Sequence, residues 1–210
     1  MSFRRKFELK KLSQNCNNLI FYFTDSNKTS NLNQVLKNLP KNCNIIFRYY
    51  DKSNIEKQQI LKNIISSNLI KRSSIFIGKN PYLAHDFCIK NIHFSDSDFS
   101  KSNKSFFLES YKLKKIGCKI SLSIHSLMSL KLAKITQPNF IFLSPIFSTS
   151  THNSAYNIGF FNFIKYKKIA ESKFNIDNIL PLGGINLQNL SRLNKVNIKG
   201  FGAIDFFNNL

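Results

Sequence analysis

Acidic residues are scarce in this chain: 11 aspartates and glutamates stand against 31 lysines and arginines, a formal charge of +20. Such an excess of cations invites a nucleic-acid reading, because Lys and Arg neutralise phosphates and supply nonspecific affinity. Their placement argues against it. Lysines are scattered along the chain, as at Lys62, Lys71, Lys90, Lys112, Lys131 and Lys167, with no dense arginine cluster and no RNA-binding signature. The surplus of Asn, Ile, Lys and Phe runs through the whole sequence, the bias of an AT-rich coding sequence rather than of a surface selected to be basic. The same charge favours small phosphorylated anions as ligands.

Cysteine is sparse as well, and Cys16, Cys43, Cys88 and Cys118 lie far apart. That excludes a zinc knuckle or a disulfide framework and leaves the thiols of a reducing compartment. No apolar run approaches the roughly 20 residues of a membrane span, and the basic N-terminus MSFRRKFELKKLSQN lacks the apolar centre of a signal peptide. A cytoplasmic protein without a membrane partner is expected. Glycine is missing from the first candidate strand-to-helix turn, Thr24 to Ser30, so the G-x-G-x-x-G fingerprint of an open dinucleotide-binding sheet is absent.

What the chain does have is apolar material for one core. With 210 residues, 42% of them hydrophobic and 21 of them Phe, it is long enough for one domain and short for two. A single domain over residues 1–210 is expected, with 1–17 as a basic extension. Short apolar runs recur at Leu19–Phe23, Asn44–Arg48, Ser74–Ile77, Asn91–Phe94, Lys119–Ile124, Asn139–Leu143, Ile179–Leu182 and Gly200–Ile204. Segments with helical spacing separate them: Leu32–Leu39, Ile55–Leu69, Pro81–Cys88, Phe106–Ile116, Leu127–Ile135, Phe160–Ala170 and Leu187–Leu193. Near-continuous apolar strands joined by helical crossovers form parallel sheets buried on both faces. Eight such units predict a small α/β protein, a (β/α)₈ TIM barrel, whose last helix is a stub over Asp205–Leu210.

Catalytic groups in that fold sit at the C-terminal ends of the strands. Those ends carry Asp25, Arg48, Gly78 with Lys79, Asp96 with Asp98, Ser123 with His125, Ser144 through His152, Gly183 with Gly184, and Asp205. The mixture of cations, carboxylates, hydroxyls and glycines is what a site for two phosphorylated reactants and a divalent metal requires. After Asn139–Leu143, Pro145 stops the strand, and Ser144, Ser148, Thr149, Ser150 and Thr151 offer hydroxyls to an anion above the apolar footing of Phe147. The same composition also suits an ordinary solvated turn. Gly183 and Gly184 let backbone N–H groups approach a ligand where barrels often bind phosphate, although a turn or helix cap would use them equally well. Asn153–Gly159 reads as a flexible lid.

Four segments, NIHFSDSDF, SIHS, SPIFSTSTH and PLGGI, occur in the order and spacing of one family. With them the chain resembles thiamine-phosphate synthase and its thiazole-tautomerase relatives, a family of small (β/α)₈ barrels, from Thr24-Asp25 to the closing GFGAID. The resemblance implies that Thr149 and Thr151 hold the thiazole phosphate, with backbone around Gly183, Gly184 and the Ile204–Asp205 turn completing the pocket. It implies Arg48 as the partner of the pyrimidine diphosphate, Asp98 as one of two Mg²⁺ carboxylates, and Ser123 as a hydroxyl near the reacting centre. Arginine suits bidentate phosphate contacts, and magnesium bridging a carboxylate and diphosphate oxygens would stabilise departing charge. The expected reaction is ionisation of hydroxymethylpyrimidine diphosphate and capture of the cation by the thiazole-phosphate nitrogen, with Lys79 or His152 helping to neutralise the leaving diphosphate.

The chain departs from the family pattern in several places. Ile46 stands where the family has a glutamine, Tyr49 and Tyr50 replace Glu-Lys, and His152 replaces the lysine after the second threonine. At the third strand the family's Asn-Asp becomes Ile77-Gly78 or Gly78-Lys79, which removes one magnesium carboxylate. Either Asp96 supplies a second one or the chain has left synthase chemistry. Asp98 has a competing reading as the cap of the helix that follows. His125 resembles the acid–base residue of the tautomerases, since an imidazole can move a proton near neutrality without a metal; a histidine that merely packs at the strand end competes with that reading. His93, between Ile92 and Phe94, reads as structural, and His85 as a solvated helix residue. A non-catalytic barrel that binds a phosphorylated ligand stands as a third reading, and a homo-oligomer is compatible with all three.

Overall fold

The computed structural model describes residues 19–29, 31–100, 103–149 and 157–208. The basic extension over 1–17, Thr151, His152 and most of the expected lid lie outside the described residues. The strands are β1 (Leu19–Phe23), β2 (Asn44–Phe47), β3 (Ile75–Gly78), β4 (Asn91–Phe94), β5 (Lys119–Ile124), β6 (Phe140–Leu143), β7 (Ile179–Pro181) and β8 (Gly200–Ala203). The helices are α1 (Leu32–Asn38), α2 (Asn54–Ser66), α3 (Pro81–Asp86), α4 (Asp96–Ser100), α5 (Asn103–Lys115), α6 (Leu127–Thr136), α7 (Phe160–Phe174), α8 (Leu187–Asn194) and α9 (Asp205–Asn208). A single 3₁₀ turn, Arg72–Ser74, leads into β3.

Each strand from β1 to β6 pairs in parallel with the next, β1 also pairs with β8, and an isolated bridge from Leu182, just past β7, to Gly202 of β8 brings the two ends of the sheet together. The expected (β/α)₈ barrel is the observed fold. Among the described residues no helix is long and apolar enough to cross a membrane.

Side chains on each strand alternate between two separate cores. Ile20 and Tyr22 of β1, Ile45 and Phe47 of β2, and Ile141 and Leu143 of β6 point outward and pack in the layer between sheet and helices. Their neighbours Phe21, Phe23, Ile46, Phe76, Phe142, Leu180 and Leu182 fill the inside of the barrel. The filling is aromatic: the Phe21 ring lies edge-on to Phe76, Phe140 and Phe142 at centroid distances of 5.7, 5.1 and 4.9 Å. So much ring volume requires a small residue opposite, and Gly202 supplies it. A Cβ at Gly202 would lie 2.7 Å from the Phe23 ring and 3.2 Å from both Leu182 and Phe142. On β4 and β5 the inward positions change character, to His93, Ser121 and Ser123, all buried. The barrel is packed with hydrocarbon below and turns polar toward one mouth.

Phe21→Ala removes a ring wedged among three others, and it should lower unfolding free energy by about 3–5 kcal/mol, the range for large-to-small changes in packed cores. Equilibrium urea denaturation measures this; a loss below about 1 kcal/mol would mean that the interior collapses around the gap.

Candidate active site

A cavity of about 690 Å³ opens at the ends where the strands stop, walled by residues that follow every strand except β3. Asp25 and Ser26 come from β1, Arg48 and Tyr50 from β2, Ser95 and Asp96 from β4, and Ser123 and His125 from β5. Ser144 and Thr149 follow β6, Gly183 and Gly184 follow β7, and Ile204 and Asp205 follow β8. Of the site residues expected from the sequence, Arg48, Asp96, Ser123, His125, Thr149, Gly183, Gly184, Ile204 and Asp205 therefore share one wall, whereas Lys79 and Asp98 are not on it. His93 lines the cavity floor, a position that its reading as structural did not anticipate.

Arg48 is held from three sides. Its Nε donates to the Thr24 carbonyl at 3.2 Å, its Nη2 lies 3.4 Å from Asp25 Oδ2, and its Cζ sits 5.4 Å from the centre of the Phe23 ring. Burial pulls the guanidinium below its usual pKa, while Tyr50, Asp25 and Tyr22 oppose that drift; an arginine stays charged regardless. Gly78 makes room for this arrangement, since a Cβ there would come within 3.2 Å of the Tyr50 hydroxyl and 3.3 Å of Arg48 Cβ.

His93 joins two serines. Its Nδ1 lies 2.9 Å from Ser121 Oγ and its Nε2 3.2 Å from Ser123 Oγ. The residue is 1% exposed, and burial, helped by the Arg48 charge and opposed by Asp98, pushes its pKa down to about 3. The ring is neutral at physiological pH and too weak a base to activate Ser123 as a nucleophile. Its work is to orient that hydroxyl. His125 is different: its Nδ1 approaches the Ser144 carbonyl at 2.6 Å, with Ser144 Oγ at 3.2 Å. A carbonyl only accepts, so Nδ1 carries the hydrogen and Nε2 is the basic nitrogen of the neutral ring.

The two aspartates of α4 behave unlike each other. Asp98 Oδ2 accepts from the Ser95 amide and from the Ser95 hydroxyl, each at 2.7 Å, and Asp98 Oδ1 lies 2.7 Å from Lys79 Nζ. A carboxylate that accepts from the amide of the serine three residues before it is one half of a capping box. Asp96 lines the cavity, and its Oδ1 is shielded from solvent with no hydrogen-bond partner among the described residues. These donors do not fit the two-carboxylate magnesium site that the resemblance implied. Magnesium demands nearly octahedral oxygen ligands, and both Asp98 oxygens already serve the cap or the Lys79 ammonium. Among the described residues no three His, Cys, Asp or Glu side chains group as metal ligands.

Gly183 and Gly184 have φ of 92° and 67°, a region that residues with a Cβ rarely adopt. They also lie under the loop after β6: a Cβ at Gly183 would be 2.8 Å from Pro145 Cβ, and one at Gly184 2.7 Å from the Phe147 carbonyl. The Ile146 and Phe147 amides donate to the Leu182 and Gly183 carbonyls at 3.0 and 3.2 Å. The glycines thus seat the Thr149 loop as well as lining the cavity. On this wall Asp205 is paired with Lys28 at 2.8 Å.

Fold and site define a small parallel-barrel protein with a cavity over the strand ends. The family model for thiamine monophosphate synthase matches residues 21–205, and the chain belongs to that family. An Aquifex aeolicus protein named "Putative thiamine-phosphate synthase 2" is 38% identical over 88 residues, 42% of this chain and 45% of that one, so the chain aligns with less than half of that relative's length. A thiamine phosphate pyrophosphorylase from Pyrococcus furiosus superposes with a TM-score of 0.63 at 18% identity, covering 90% of this chain and 87% of that one. FabK from Thermotoga maritima superposes with a TM-score of 0.65 at 9% identity, covering 97% of this chain and 61% of that one. Likeness of shape therefore shows the barrel, and the family rests on the sequence match.

Gly184→Ala should lower the melting temperature, because the new Cβ displaces the Phe147–Ser148 backbone; differential scanning calorimetry checks this. A melting temperature within about 1 °C of wild type would mean that the two loops are not seated on each other. His93 generates a pH dependence. The unfolded chain binds a proton near pH 6.5 that the folded chain refuses until about pH 3, so the His93 contribution is complete above pH 6.5 and is lost as the pH falls. Between those values the stability difference between wild type and His93→Gln should change by up to about 1.4 kcal/mol per pH unit. Parallel stability-versus-pH curves for the two proteins would contradict a buried neutral His93.

Proposed function

We propose that the chain is a thiamine-phosphate synthase-like transferase, joining hydroxymethylpyrimidine diphosphate to thiazole phosphate with release of diphosphate. The observation that carries the reading is the convergence, in one cavity of about 690 Å³, of Arg48, Ser123, Thr149 and the paired glycines at the strand ends of a chain that matches the synthase family over residues 21–205. A cavity of several hundred Å³ accommodates two small ring compounds side by side.

Each residue has a task in that reading. Arg48 takes the diphosphate, its guanidinium pre-positioned by Thr24 and Asp25 so that little freedom is lost on binding. Thr149, the amides around Gly183 and Gly184, and the Ile204–Asp205 turn take the thiazole phosphate. The bond from the pyrimidine methylene to the diphosphate oxygen breaks with its electron pair leaving on oxygen, and the thiazole nitrogen lone pair forms the new carbon–nitrogen bond. The carboxylates of Asp25 and Asp96 lie in the same cavity, where they favour the positive charge that develops on the pyrimidine. Ser123, oriented by His93, donates or accepts at the reacting centre.

The test is direct. The purified chain supplied with both reactants should yield thiamine phosphate by mass spectrometry, and Arg48→Ala should lower kcat/KM by about 100-fold or more, as for removal of a preorganised group that stabilises transition-state charge. No product beside an active control enzyme would end the synthase reading. The His125 tautomer favours a second reading, tautomerisation of a thiazole phosphate with Nε2 moving the proton. That reaction needs one substrate only, so conversion of the thiazole without any pyrimidine, abolished in His125→Gln, would establish it instead.

A further inference from the structure

Lys79 ends β3 in an unusual state. Its φ is 45°, a left-handed conformation uncommon for a residue with a side chain, and its amide donates to the His93 carbonyl at 2.9 Å, which holds the turn to β4. From that turn the ammonium reaches Asp98 Oδ1 at 2.7 Å. The lysine side chain is 62% exposed and the Asp98 carboxylate only 5%. An ion pair so disposed is one-sided: the anion is enclosed and bonded on both oxygens, whereas the cation keeps a face toward solvent. Ser95, which holds Asp98 through both its amide and its hydroxyl, lines that cavity, and Gly78, the residue before Lys79, lies against Arg48 Cβ and the Tyr50 hydroxyl.

We propose that Lys79 supplies the second positive charge at the diphosphate end of the cavity, in place of a divalent cation, so that this chain binds diphosphate without a metal. The inference rests on the synthase reading and departs from the family in one respect. With Asp98 Oδ1 facing an ammonium, a divalent ion would have to displace Lys79 to reach that oxygen, and the resulting pair of cations on one carboxylate is unfavourable. An ammonium is a compact charge with three donors, able to keep one on Asp98 and turn others to phosphate oxygens. The strained turn is the backbone device that aims it, and Arg48 on the adjacent strand supplies the forked partner for the same anion.

The experiment is titration calorimetry of the full chain with inorganic diphosphate, in excess EDTA and in excess Mg²⁺. The wild-type dissociation constants should agree within about threefold, and Lys79→Met should weaken binding in EDTA by about tenfold or more, as expected for loss of a charge-assisted hydrogen bond. Lys79→Asp should convert the site, giving binding that needs Mg²⁺, and the melting temperatures of both variants confirm that the exposed position tolerates the change. Lys79→Arg, which keeps the charge, should retain metal-free binding. Wild-type affinity that collapses in EDTA, or Lys79→Met and Lys79→Arg that bind alike, overturns the proposal and leaves the synthase reading standing. Diphosphate binding in neither condition overturns both.

Discussion

The ring of Phe23 is where the packed interior of this barrel becomes the floor of its cavity. Below, it meets Phe142 edge-on at 4.9 Å and fills the space left by Gly202. Above, it meets the His93 ring at 5.4 Å and carries the Arg48 guanidinium at 5.4 Å from its centre. One side chain on β1 thus transmits the close packing of the hydrocarbon to the polar groups over it. Dense interiors move little, so the Arg48 charge and the Ser123 hydroxyl inherit positions set by phenylalanine rings. The positioning of the polar floor depends on this contact.

The second determinant is the way charge is distributed over that floor. Its centre is neutral: His93 is held uncharged by burial and shares its two nitrogens between Ser121 and Ser123. Charges stand around it at the rim, mostly in pairs. Asp25 faces Arg48, Asp205 faces Lys28, and Asp98 faces Lys79. Asp96 is the exception, with a shielded oxygen that no described residue satisfies. A buried acceptor without a donor is unfavourable by itself, which is consistent with a site that completes its bonding on its ligand.

Much of this was legible in the sequence, and the reasons are particular. All eight strands were readable because each is a short apolar run flanked by helical spacing, and the observed bounds of β1, β4 and β5 coincide with the runs themselves. The five-residue α4 was not, since SDSDFS offers no apolar period from which to read a helix, only a serine and a carboxylate at capping distance. The alternation of His93 with Ile92 and Phe94 did show that it faces away from them. The same alternation does not say how far up the barrel a residue sits, and near the strand end the inward face is also the cavity floor. Lys79 and Asp98 were each visible at a strand end, but a pair that bridges the β3 turn and α4 could not be seen in a linear pattern.

Residue pattern alone thus determined the (β/α)₈ architecture and which residues stand at the strand ends, because eight near-continuous apolar runs joined by helical crossovers admit few other arrangements. It also carried the family, through four short motifs. Tertiary structure alone decided how the charges combine. Whether Asp98 offers its oxygens to a metal, to a helix cap or to a lysine is a matter of ångströms between elements that the chain separates, and electrostatic attraction at 2.7 Å outweighs anything that spacing along a sequence can express.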